Sequence, residues 1–208
     1  MATGSLPFSV AIDPSGRFAY VANFQGTVSA YSINASTGGL TEIDLNGALA
    51  GTAMTTGINP TSITVDPSGK FVYVAHVNGV EAYVINSSGA LIHASSVLAV
   101  PAGADPRSIA VEPSGRFAYV ANANAGNVSV FRIHPQLGSL TAVGTVAAGT
   151  APYSITVEAS GKFAYVANAG SDNILAYSID AINGALSLIG TLASGRVPVA
   201  IVTTATVQ

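Results

Sequence analysis

Pro14-Ser15-Gly16-Arg17-Phe18-Ala19-Tyr20-Val21-Ala22-Asn23 occurs again, unchanged, at residues 113–122, and with small substitutions at residues 67–76 and 159–168. Its Phe-Ala-Tyr-Val-Ala core reads as a β-strand, because aromatic and β-branched side chains fit a pleated, buried surface, and the preceding Pro-Ser-Gly reads as a turn. A proline opens each copy, at Pro7, Pro60, Pro106 and Pro152, and a fifth opens at Pro198, giving spacings of 53, 46, 46 and 46 residues. A unit of this length is one supersecondary element that buries its faces only by stacking on its neighbours.

Within one copy the pattern predicts four strands. Residues 108–111 form a short β-rich run, Glu112-Pro113-Ser114-Gly115 a turn, and residues 117–121 a second strand, together a hairpin. A loop with Gly126-Asn127 leads to a third strand at 128–133, and Pro135 to Gly138 leads to a fourth at 140–146. Four antiparallel strands in a period of roughly 40–50 residues, with no helical periodicity, specify a propeller blade. The expected architecture is all-β: one domain over 1–208, with blades at about 6–59, 60–105, 106–151 and 152–197 and an extra inner strand at 198–208.

Composition agrees. Of 208 residues, 49% are hydrophobic and 8% charged, which suits strands buried on both faces better than a sheet with one wet face. Gly and Pro interrupt the chain before about 18 apolar residues can accumulate, so no membrane span is expected. A formal net charge of −3, with seven dispersed Lys and Arg, gives no basic field for nucleic acid. The absence of cysteine removes disulfides, thiol nucleophiles and Cys-type zinc sites. Residues Met1 to Ser5 show neither a basic nor an apolar region, so no signal peptide is expected there, and the compartment stays open.

The unit Pro-x-Ser-Ile-x-Val-(Asp/Glu)-Pro-Ser-Gly-(Arg/Lys)-Phe-Ala-Tyr-Val-Ala-Asn resembles the YVTN-type repeat of lactonase-like propellers, the superfamily that includes bacterial 6-phosphogluconolactonase. The resemblance spans nearly the whole chain and implies blade architecture. It implies lactone hydrolysis only as one reading, because the motif describes core strands and a turn. It also implies ring closure by a C-terminal inner strand that completes the first blade, the part residues 199–203 resemble.

Residues that recur in every copy read as structural, and those that break the repeat as candidates for a local role. Twelve of the fifteen aromatics are phased: Phe18, Phe71, Phe117 and Phe163; Tyr20, Tyr73, Tyr119 and Tyr165; Tyr31, Tyr83, Phe131 and Tyr177. The pairs Asp13/Arg17, Asp66/Lys70, Glu112/Arg116 and Glu158/Lys162 bracket the hairpin turn, the acid expected to accept turn amides and the base to face it in an exposed pair.

The exceptions map to one edge, where the first strand begins and the second ends. There lie Phe8, Phe24 and Tyr153, Arg107 at the Phe8/Tyr153 position, and His76 in place of Asn23, Asn122 and Asn168, with Asp105, Asp172 and Arg196 in neighbouring loops. Phe8, Asn23, Phe24, His76, Arg107, Asn122, Tyr153 and Asn168 are therefore the candidate ligand-binding residues around a central funnel, for a small molecule or a peptide. Arg107 offers an anion clamp, Tyr153 and Phe8 offer stacking walls, and the Asn/His ring offers hydrogen bonds.

A catalytic reading would take His76 as base and Arg107 as electrophile, the only pair so placed. His76, His93 and His134 map to different parts of the blade and cannot form a metal triad, so neither metal nor cofactor is expected. No serine elbow or phosphate loop is present. The first expectation is a binding scaffold without demonstrable activity, the second a sugar-lactone hydrolase. A row of blades leaves two apolar faces, so self-association into a homodimer, closing an eight-bladed ring, is the expected partnership.

Overall fold

Each repeat folds into one antiparallel sheet, because its Gly-containing turns return the chain before a helix can be nucleated. The computed structural model describes residues 3–45, 54–97 and 104–204, and in it the sheets follow the chain in order. The first holds β1 (Pro7–Ile12), β2 (Phe18–Asn23), β3 (Thr27–Ile33), β4 (Leu40–Ile43) and the short β5 (Met54–Thr55), which pairs with β3. The second holds β6 (Ser62–Val65), β7 (Phe71–His76), β8 (Gly79–Ile85) and β9 (Leu91–Val97). The third holds β10 (Pro106–Val111), β11 (Phe117–Asn122), β12 (Asn127–Ile133) and β13 (Leu140–Ala147). The fourth holds β14 (Pro152–Val157), β15 (Phe163–Asn168), β16 (Asn173–Ile179) and β17 (Leu186–Ala193). The sheets are the blades of an arc, with β1, β6, β10 and β14 side by side at the hub.

Burial follows the repeat. β7 and β11 are buried at all six positions, as low charge requires of a strand packed on both faces, whereas β17 is exposed beyond Leu186. Three apolar clusters coincide with the three joints between blades. The first joins Phe18, Tyr20 and Ala22 to Ile63, Val74 and Leu91; the second joins Phe71 and Tyr73 to Ile109 and Leu140; the third joins Phe117 and Tyr119 to Ile155 and Leu186. Full burial of one such side chain contributes about 1.5–3 kcal/mol.

A serine ladder ties the inner strands. Ser9, Ser62 and Ser108 accept hydrogen bonds at Oγ from the amides of Ile63, Ile109 and Ile155, each at 3.2 Å. Ser154 accepts from Ile201 in the same way, at 3.2 Å. The residue before each repeat proline adopts the left-handed backbone, at Leu6, Asn59, Asp105, Ala151 and also Val197, with φ of 58°, 52°, 51°, 50° and 53°. The segment from Val197 to Thr203 therefore takes the inner-strand place of a following blade, beside β14. The inner-strand place of the first blade, which the resemblance would give to this segment, is held by β1 through its pairing with β2. Residues 205–208 of the expected strand lie outside the described residues.

The turn charges also differ from expectation. Asp13, Asp66 and Glu112 are buried, because the next blade's turn covers them; Gly161 lies against Glu112 and Pro113. Asp13 accepts the amides of Ser15 and Phe18 and the Ser15 hydroxyl. The bases do not face the acids. Arg17 and Arg116 donate from Nε to Ser15 and Ser114, at 2.9 Å each, and lie over Phe18 and Phe117.

Candidate functional site

The hub edge of the inner strands is built by an irregularity that recurs. Each repeat proline follows a left-handed residue and lacks an amide to donate, and pairing slips between Pro7 and Ser9, Pro106 and Ser108, and Pro152 and Ser154. Phe8, Arg107 and Tyr153 are the extra residues of these bulges. A bulge leaves one residue out of the ladder and re-aims its side chain, so the least repetitive positions of the repeat are those the backbone holds outside the sheet.

Arg107 and Tyr153 meet. The guanidinium carbon lies 5.3 Å from the Tyr153 ring centroid, a stacked cation–π contact across the third joint. Both Nε and Nη2 donate to Oδ2 of Asp105, at 2.9 and 2.7 Å. The Arg107 and Asp105 side chains are 26% and 21% exposed, so the pair is open to solvent and to a ligand. Phe8 is half-exposed and stacks on Phe24, with ring centroids 5.7 Å apart, beside an open hollow of about 270 Å³ lined also by Thr3, Pro7, Val10 and Val21. Of the eight candidates, these four present surface.

Asn23, Asn122, Asn168 and His76 do not. The three asparagines have no exposed surface, and each turns its side-chain amide inward, Asn23 to Thr27 and Ser29, Asn122 to Asn127 and Ser129, Asn168 to Asn173. A loop glycine lies against three of these positions, Gly4 against Asn23, Gly149 against Asn168 and Gly57 against His76. A Cβ on Gly149 would lie 2.7 Å from the Asn168 Cγ, and one on Gly57 would lie 2.0 Å from the His76 Nδ1, which is why the loop carries glycine there. His76 accepts the Asn78 amide at Nδ1 and turns Nε2 toward Glu81, 3.9 Å away. Burial lowers the His76 pKa below the ordinary histidine value, with Glu81 opposing the shift, so the ring is held neutral. A ligand reaches this layer only by lifting the loop.

Sequence reasoning did not find the groups around His76. Glu81 takes the position of Ser29 and Ser129 and accepts hydrogen bonds at Oε2 from the hydroxyls of Thr56, at 2.7 Å, and Tyr83, at 2.5 Å. Its signal was a charge out of phase with the repeat. A hollow of about 410 Å³ also opens at the opposite edge, between the turns of blades three and four, lined by Glu112, Arg116, Phe117 and Lys162 among others. Among the described residues no group of three His, Asp or Glu side chains gathers around a common point, and no helix is long and apolar enough to cross a membrane.

Residues 1–157 match the family described as Lactonase, 7-bladed beta-propeller, and residues 153–173 match the LVIVD repeat. No curated protein matches the chain. Among solved structures, a candidate 6-phosphogluconolactonase of Bacteroides uniformis superposes with a TM-score of 0.78 at 20% identity, over 93% of this chain and 56% of that one. A protein of Lactobacillus plantarum gives 0.78 at 24% identity, over 92% and 59%. The periplasmic gluconolactonase of Pseudomonas aeruginosa gives 0.57 at 17% identity, over 93% and 74%. The chain thus spans 56% and 59% of the first two of these structures, and at such identities the likeness speaks for the fold.

Proposed function

The chain belongs to the Lactonase, 7-bladed beta-propeller family, and on that premise we propose that its hub edge binds a small anion of the sugar-acid or sugar-lactone class, anchored by Arg107. The observation that carries this reading is the bulge that places Arg107 outside the ladder, stacked on Tyr153 and half-neutralised by Asp105. A planar guanidinium suits carboxylate and phosphate oxygens, and an aromatic wall suits the apolar face of a sugar ring. Phe8 and Phe24 extend the apolar wall on the first blade.

Hydrolysis of the lactone is the second reading, favoured by family membership and by the Asp105 carboxylate beside the cation. Water activated by Asp105 would add to the lactone carbonyl, Arg107 would take the developing oxyanion, and collapse would break the ring C–O bond to give the open hydroxy acid. His76 is poorly suited as the base, since it lies beneath Gly57 and faces Glu81. Two measurements on the purified chain separate the readings: calorimetric titration with 6-phosphogluconate, and proton release from glucono-1,5-lactone against the uncatalysed rate. Binding lost in Arg107→Ala supports the anchor. Binding unchanged by that substitution overturns it, and a rate equal to background overturns hydrolysis.

A further inference from the structure

Arg116, Arg132 and Lys162, three of the chain's seven Lys and Arg, stand at one joint, and all three are exposed. Arg116 and Lys162 line the hollow of about 410 Å³ between the turns of blades three and four. Arg132 lies beside it, over the ring of Phe117, and donates from Nη2 to the Ile182 carbonyl of blade four at 3.4 Å.

Two departures from the repeat make this place. The third-strand residue paired with the second-strand phenylalanine is Ser32, Val84 or Ser178 in the other blades, and Arg132 here. Ala181 follows Asp180 in the turn of blade four as Pro135 follows His134 in the matching turn of blade three. Where Pro135 fills that position, between blades two and three, the hollow is only about 130 Å³, lined also by Asp66, Lys70 and Ser114. The third joint thus has both an added cation and added room.

Two of the cations are held in place. Arg116 donates from Nε to Ser114 Oγ at 2.9 Å, and its guanidinium carbon lies 5.5 Å from the Phe117 ring centroid; that of Arg132 lies 5.0 Å from the same centroid. Planar forks positioned before a ligand arrives lose less freedom when it binds. Among the described residues, none of Arg116, Arg132 and Lys162 forms an ion pair. The nearby carboxylates are turned to other donors. Glu112 accepts the amides of Ser114 and Arg116 and the Ser114 hydroxyl, Glu158 the amides of Ser160, Lys162 and Phe163 and the Ser160 hydroxyl, and Asp180 the amides of Ile182 and Asn183.

We propose that this hollow is a binding site for a small organic phosphate. The phosphoryl oxygens take the guanidinium groups of Arg116 and Arg132 and the Lys162 ammonium, and the organic part lies on Pro113, Ile179 and Ala181. Three cations suit a doubly charged group better than a single carboxylate, and the volume falls in the range of small-ligand pockets. The site lies at the edge opposite Arg107 and does not depend on it.

Calorimetric titration with phenyl phosphate and with inorganic phosphate tests this on the Arg107→Ala chain, so that the hub edge does not contribute, and on that chain carrying Arg132→Ser or Ala181→Pro. Both further substitutions restore residues that other blades carry at these positions, and an unchanged circular-dichroism spectrum verifies the fold. Phenyl phosphate is expected to bind the Arg107→Ala chain about tenfold more tightly than inorganic phosphate, and each further substitution is expected to weaken it by about tenfold or more. No binding to the Arg107→Ala chain overturns the site, as does binding indifferent to Arg132→Ser. Binding weakened by Arg132→Ser but not by Ala181→Pro overturns the hollow as its seat, and equal affinity for the two probes overturns an organic ligand.

Discussion

Tyr119 donates its hydroxyl hydrogen to the carbonyl oxygen of Gly184, 3.0 Å away in the next blade, and Gly184 lies flat against Phe117, the residue that begins the same strand as Tyr119. The aromatic pair and the turn glycine thus form one joint, in which a buried hydroxyl, an apolar ring and a bare Cα meet. Burial pushes the Tyr119 pKa well above its ordinary value, with Glu112 adding to the effect, so the hydroxyl stays protonated and available to donate.

Removing the hydroxyl alone leaves a buried carbonyl unpaired. Tyr119→Phe is expected to cost about 1 kcal/mol, a fall of roughly 2–4 °C in Tm for a domain of this size. Tyr119→Ala also loses the ring and leaves a cavity, on the order of 3–5 kcal/mol. Tyr165→Phe, on the open face of blade four, is expected to shift Tm by less than half as much as Tyr119→Phe. Thermal melts of the three variants check the order, and a loss below about two degrees for Tyr119→Ala contradicts its place in the joint.

The glycines of the repeat separate backbone cost from contact cost. Gly16 and Gly184 share a left-handed backbone, with φ of 70° and 77°, but a Cβ on Gly16 meets nothing within 4 Å while one on Gly184 comes to 2.4 Å from Phe117. Gly16→Ala should therefore cost only the conformational strain, about 1–2 kcal/mol. Gly184→Ala adds overpacking of about 1–3 kcal/mol more. Urea midpoints at constant m-value test this, and equal losses at the two sites remove the packing argument.

Two acid-sensitive transitions should be resolvable. His76 is held neutral in the fold by burial, its pKa below the unfolded value, so stability is full above about pH 6.5 and falls as pH drops below it, because the unfolded chain takes up the proton first. Burial alone would raise the Asp13 pKa, but hydrogen bonds from the Ser15 side chain and the amides of Phe18, Ser15 and Arg17 outweigh it and hold the carboxyl below its usual range. Its contribution is present above about pH 4 and is lost as pH falls through the depressed value. His76→Asn restores the residue of the other blades and is expected to remove the upper decline alone. The groups facing His76 are Glu81 and, through Glu81, Tyr83 and Thr56. Denaturation midpoints between pH 8 and pH 3 for both proteins report the windows, and an unchanged upper decline would assign it to another group.

The repeat made the blades legible, because phased Phe and Tyr positions and a turn Ser-Gly recur in all four copies and build the same packing at the three joints. The site was legible only in part. Breaking the repeat marked Phe8, Arg107 and Tyr153, and the bulge explains why these positions are released from the ladder. The same filter also marked His76 and its Asn counterparts, which the structure buries, since no sequence pattern announces that Gly57 or Gly149 closes over them. Tertiary contact likewise hid the burial of Asp13, Asp66 and Glu112, which depends on the neighbouring blade's turn, and the pairing of Asp105 with Arg107, which depends on a left-handed backbone before proline.

Asp105 separates a binding site from a hydrolytic one. Its carboxylate already accepts two of the Arg107 hydrogens, so it competes with any incoming anion, and its φ of 51° is one that asparagine tolerates better than most residues. Asp105→Asn keeps the size and the backbone while removing the charge. If the site only binds, affinity for 6-phosphogluconate rises by about tenfold, or about 1.4 kcal/mol. If Asp105 activates water, the same substitution lowers lactone hydrolysis to the background rate while the anion still binds. Arg107→Lys keeps a cation but loses the planar fork and the stack on Tyr153, and is expected to weaken binding about as much as Arg107→Ala. Calorimetry and the lactone assay on these variants decide the matter, because weaker anion binding in Asp105→Asn is incompatible with a carboxylate that competes for the guanidinium.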